Sequence, residues 1–132
     1  MELRFTVWQF VRLMVHIEEC ANPSKSQAAL RAAWGDIWHP LDAQLVELAE
    51  RDFDAYSELM MDQDVVIEDA TLDQAHAARI AIDEIMSVMD RAIADGANTD
   101  GAQADDRSEH IQNLKFERRE LRQLSRKLSR LG

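Results

Sequence analysis

Residues 71–95, TLDQAHAARIAIDEIMSVMDRAIAD, decide the fold class. Leu72, Ala75, Ala78, Ile82, Ile85, Met89 and Ala92 recur at spacings near three and four, the period of one helix face rather than the alternation of a strand. Thr71 and Gln74 have the form of a capping box, in which a hydroxyl and an amide side chain satisfy free amides of the first turn. Asp95-Gly96 then offers a glycine for a left-handed C-terminal cap.

The same signals recur on the N-terminal side. Thr6 and Gln9 form a box ahead of Val7–Ile17, where Gln9, Arg12, His16 and Glu19 leave a narrow polar stripe between broad apolar flanks. A mostly buried helix is expected there. Asn22-Pro23-Ser24 ends it, and Ser24 with Gln27 opens a second helix lined by Leu30, Trp34, Ile37 and Trp38. Gly35 weakens that helix, and Pro40 removes an amide and restricts His39, so a kink or short break is expected at 39–41. The pattern resumes with Leu41, Leu45, Leu48, Phe53, Tyr56 and Met60. Residues 62–70, with Val65-Val66-Ile67 set between acids, read as a loop or frayed turn.

Only 4 glycines and 2 prolines occur in 132 residues, too few for the turns of a sandwich or barrel. The expected fold is all-α, a small helical bundle of three or four main helices plus a leucine-striped C-terminal helix. Residues 1–94 form an acidic body. Residues 95–106, DGANTDGAQADD, lack large apolar side chains and read as a flexible linker. Residues 107–132 form a basic amphipathic helix, with Asp106 and Glu109 placed as a cap.

That last helix carries the candidate contact residues. Leu114, Leu121, Leu124, Leu128 and Leu131 gather on one stripe, the candidate partner-binding or oligomerisation face. Lys115, Arg118, Arg119, Arg122, Arg126 and Arg130 gather opposite. Burying each leucine contributes roughly 1.5–3 kcal/mol against at most about 1 kcal/mol for an exposed ion pair, so the leucines decide where the helix docks. The options are the chain's own bundle or a second copy. The basic face could offset acids of the body, meet a different protein or contact phosphates.

The net charge of −10 is unevenly divided: residues 1–106 hold 22 acidic and 7 basic side chains, and residues 107–132 hold 3 and 8. An acidic body disfavours non-specific binding to nucleic acid or anionic lipid. Cys20 is the single cysteine, which excludes an intrachain disulfide and a multi-cysteine zinc site; beside Glu18 and Glu19 it reads as a core or boundary residue. No run of about 18 apolar residues exists. A cytoplasmic protein with no membrane partner is expected.

Several patterns bear on metal chemistry. Asp36-x-x-His39 and Asp73-x-x-His76 each put a carboxylate and an imidazole on one helix face. Helical di-iron sites use Glu-x-x-His with further glutamates on apolar stripes, which this chain lacks. Asp62-x-Asp64 before Asp73 has Val66 and Ile67 where a calcium loop needs a ligand and a glycine. Glu47-x-x-Glu50 has no matching downstream pair. Catalytic residues, metals and cofactors are therefore not assigned, and metal-dependent activity is the enzymatic alternative. The expected function is a non-enzymatic helical interaction or adaptor protein that self-associates or meets another protein. The alternatives are an acidic regulator, with Asp42, Glu47, Glu50, Asp54 and Glu58 occupying a nucleic-acid-binding groove of another protein, and nucleic-acid contact through the basic helix.

Overall fold

The computed structural model describes residues 1–97 and 104–130. In chain order the elements are β1 (Leu3–Thr6), α1 (Val7–Glu19), α2 (Lys25–Arg51), α3 (Phe53–Asp62), β2 (Asp64–Ile67), α4 (Leu72–Ala97) and α5 (Ala104–Ser129). Three of the helix starts follow the capping boxes. Thr6 Oγ1 accepts from the Gln9 amide at 3.1 Å while Gln9 Oε1 accepts from the Thr6 amide at 2.9 Å. The pairs Ser24–Gln27 and Thr71–Gln74 repeat this reciprocal bonding at α2 and α4.

The fold is mostly helical, but it contains a small two-stranded sheet that the all-α expectation omitted. Val65-Val66-Ile67 is not a loop: β2 pairs antiparallel with β1, Leu3 opposite Ile67 and Phe5 opposite Val65. Those four side chains point into the core, while Arg4 and Val66 face outward. A segment this short is a strand only because a partner some 60 residues away supplies its hydrogen bonds.

Proline does not break α2. The helix runs unbroken through Pro40 to Arg51. Asp36, whose carbonyl loses its bond to position 40, is exposed, so water can reach it, while Trp34 and Trp38 before the proline and Leu45 after it are buried. Each such burial offsets much of the roughly 3 kcal/mol that an interior proline costs. The real interruption lies at Asp52, whose amide donates to the Leu48 carbonyl at 2.8 Å and whose carboxylate accepts from the Ala55 amide at 3.2 Å. One residue thus ends α2 and caps α3.

The core is organised around α4. Ala75, Ala77, Ala78 and Ala81 are buried with Ile82, Ile85 and Met89, and α1, α2 and α5 all pack on this helix. From α1 come Phe10, Leu13, Met14 and Ile17, and from α2 Leu30, Trp34 and Trp38. Phe5, Phe10, Trp34 and Trp38 form an aromatic cluster with ring centroids 5.8–6.3 Å apart. Leu72, Ile37 and Ala92, placed on inner faces by periodicity, are exposed. Of the expected linker, 95–97 belong to α4 and 104–106 to α5, and residues 98–103 lie outside the described residues.

Two substitutions test this packing. Pro40→Ala restores an amide inside a continuous helix and should raise the free energy of unfolding by about 1–3 kcal/mol in urea denaturation; a loss of stability would indicate that the proline fixes a needed bend. Leu121→Ala, at a fully buried position, should lower it by about 2–5 kcal/mol.

Candidate functional site

The leucine stripe of α5 lies inside the chain's own structure. Leu121, Leu124 and Leu128 are buried core residues, Leu114 is half-buried against the core, and Leu131 lies outside the described residues. The α5 helix packs chiefly on α4, so it docks in cis. Ser125 on the same face donates to Asp83 of α4 at 2.7 Å.

The basic face divides. Arg118 holds both carboxylate oxygens of Asp90 on α4. Lys115, Arg119, Arg122, Arg126 and Arg130 are exposed and have no ion-pair partner among the described residues. At 100° per residue these five fall within a stripe about 80° wide, roughly 22 Å long. They face away from the buried leucines.

A second surface on α5 was not singled out from the sequence. Asn113, Phe116, Glu117 and Glu120, spaced three, one and three apart, line one wall of a groove. The first turn of α1 supplies Trp8 and its cap Thr6 lies beside it, and the last turn of α3 supplies Met60 and Met61. The groove encloses about 350 Å³, room for a few large apolar side chains. Phe116 is 53% exposed and Met61 62% exposed, while Trp8 and Met60 are half-buried against the core.

Backbone and side-chain bonds fix these walls. The Val7 amide donates to the Gln63 carbonyl at 3.0 Å, which ties the start of α1 to the end of α3. Arg12 lies 5.9 Å from the Trp8 ring centroid and pairs with Glu117, joining α1 to α5. Glu117 is thereby neutralised, whereas Glu120 has no partner among the described residues. The Thr6 hydroxyl is engaged as the α1 cap.

The residues weighed for metal binding stay apart. Asp36 and His39 line one open depression with Glu18 and Arg31, and Asp73 and His76 line another with Lys25. Glu47 pairs with Arg51 at 3.0 Å on the exposed face of α2, and Asp64–Ile67 is strand rather than ion-binding loop. Among the described residues no group of three or more His, Cys, Asp or Glu could hold a metal ion. Cys20 caps the end of α1, partly exposed. No helix among the described residues is long and apolar enough to cross a membrane. No family model, curated protein or solved structure matches the chain.

The wall joining α1 to α5 is testable by a double-mutant cycle. Arg12→Ala and Glu117→Ala should show a coupling of about 0.2–1 kcal/mol in chemical denaturation, because both side chains are partly exposed. The coupling should shrink in 1 M salt, where the screening length falls to about 3 Å. Zero coupling at low salt would mean that the pair does not hold the wall.

Proposed function

We propose that this protein is a non-enzymatic interaction module whose contact face is the groove between α1, α3 and α5, and that a helical segment of another protein seats there. One observation carries the reading: Phe116 and Met61 stand open to solvent beside Trp8 and Met60, forming a contiguous apolar cluster in a concave site. A scattered surface apolar residue is ordinary, but a clustered concave one marks a binding surface. Aromatic and methionine side chains together favour an adaptable contact with apolar anchors. The groove lies between helices and is lined by apolar side chains of three of them, which suits a helix laid in with anchors three or four residues apart.

Self-association was expected on the ground that the leucine stripe lacked a partner. With Leu121, Leu124 and Leu128 in the chain's own core, that ground is gone, and a heterologous partner is the better-supported occupant.

A second reading rests on the five-cation stripe of α5. A linear row without facing carboxylates suits an extended polyanion, and contact through it would fall steeply with salt. The stripe lacks an aromatic for base stacking, since Phe116 lies on the groove side.

The two readings separate in one comparison. A partner recovered by affinity capture should form a reconstituted 1:1 complex with the purified protein. Phe116→Asp should weaken that complex at least roughly tenfold, the cost of one lost apolar anchor. Arg122→Glu with Arg126→Glu should leave it within about threefold. The reverse pattern, or binding of a labelled RNA or DNA oligomer at physiological salt that the double Arg change abolishes, would replace the groove with the cation stripe.

A further inference from the structure

The sheet has only two strands, and the outer edge of β2 borders a cleft separate from the groove between α1, α3 and α5. The Val7 amide donates to the Gln63 carbonyl, and in an antiparallel ladder bonded pairs recur at every second residue. Phe5–Val65 and Leu3–Ile67 therefore exchange the bonds that join β1 to β2. The amides and carbonyls of Asp64 and Val66 point the other way, toward the outer edge. Nothing among the described residues bonds to them there.

Residues 66–69 line one side of the cleft, and Ala33, Trp34 and Ile37 of α2 line the other. The side chain of Val66 faces outward and that of Ile67 faces the core, so a space touching both lies against the edge of the strand rather than over either face. It encloses about 380 Å³. Its α2 wall is apolar, and Ile37 and Val66 are each 38% exposed. A helix laid here would leave the edge unanswered, because its own amides and carbonyls are already bonded within it. An extended segment answers it. Such a segment offers backbone groups at every second residue to Asp64 and Val66, and it turns alternate side chains toward Ala33 and Ile37.

We infer that the edge of β2 takes an extended segment of another protein as a third strand, with apolar side chains at the alternate positions that face α2. A second copy is disfavoured as the occupant. Pairing two β2 edges about Val66 would set Asp64 of each copy against Glu68 of the other, and like charges placed across strands are destabilising.

The probe is a labelled synthetic peptide of about six residues, a usual strand length, with Val or Ile at alternate positions and Thr or Lys between them. Two further forms carry N-methyl groups on alternate amides, one on the odd and one on the even positions, with charge and side chains unchanged. Each is titrated into the full chain and followed by fluorescence anisotropy. One N-methylated form should bind at least roughly tenfold more weakly than the parent and the other within about threefold, because only one set of amides faces the edge. Val66→Pro removes the outward amide without touching the bonds to β1, and it should weaken the parent peptide at least roughly tenfold. Ile37→Asp, on the α2 wall, should do the same and carries the test if circular dichroism shows the proline variant unfolded. Leu72→Asp, about 160° around α4 from the lining residue Gln74, and Phe116→Asp, in the other groove, should leave binding within about threefold. Equal binding of the two N-methylated forms, indifference to the changes at 66 and 37, or failure of the parent peptide to bind would each overturn the inference. A dimer of the chain that Val66→Pro dissolves would put a second copy at the edge and overturn it as well. The groove between α1, α3 and α5 stands or falls separately from all of these outcomes.

Discussion

The structure depends on the close approach of three helices to α4. Its buried positions 75, 77, 78 and 81 are all alanine, so neighbouring backbones come near without competing for volume, and Ile82, Ile85 and Met89 fill the wider end. Alanine also has the highest intrinsic helix propensity, so one residue type stabilises the helix and thins its surface. With α1 and α2 seated on one side, α5 takes the remaining flank with Leu121, Leu124 and Leu128. The leucines determine that placement, because their burial outweighs any exposed pair the arginines make.

The groove follows from what this arrangement leaves uncovered. The α3 helix has no fully buried residue and meets the core only through partly buried Tyr56, Leu59 and Met60. Those side chains seat it on α1 and α2, and the Val7–Gln63 hydrogen bond ties its end to the start of α1. Trp8 and Phe116 approach the same space from α1 and α5 without closing it. Part of the apolar surface that the chain does not bury against itself thus gathers in this groove.

Much of the helical framework was legible because side-chain caps and apolar spacing are local signals. Thr6–Gln9, Ser24–Gln27 and Thr71–Gln74 start helices where their chemistry requires, and the face containing Ala78, Ile82 and Ile85 is buried as its period implies. Long-range effects were not legible. Val65-Val66-Ile67 acquires its strand character from Leu3–Phe5, and Pro40 is carried inside a helix because buried residues on both sides hold it there. Asp52 hides its double role, since an aspartate at a cap and one on a wet helix face look alike in sequence. The groove left only faint marks: Phe116 off the leucine stripe of a polar helix, the Met60-Met61 pair, and Trp8 beside a cap. Which of these meet is a property of how α1, α3 and α5 cross, and no single segment records it.

A photo-crosslinking amino acid at position 116, compared with one at the equally exposed but distant position 72, tests the contact face most directly. Irradiation in cells followed by peptide mapping should give a discrete adduct from position 116 alone, joined to a helical segment of another protein. Adducts indistinguishable from those at position 72, or an adduct between two copies of this chain, would contradict the account.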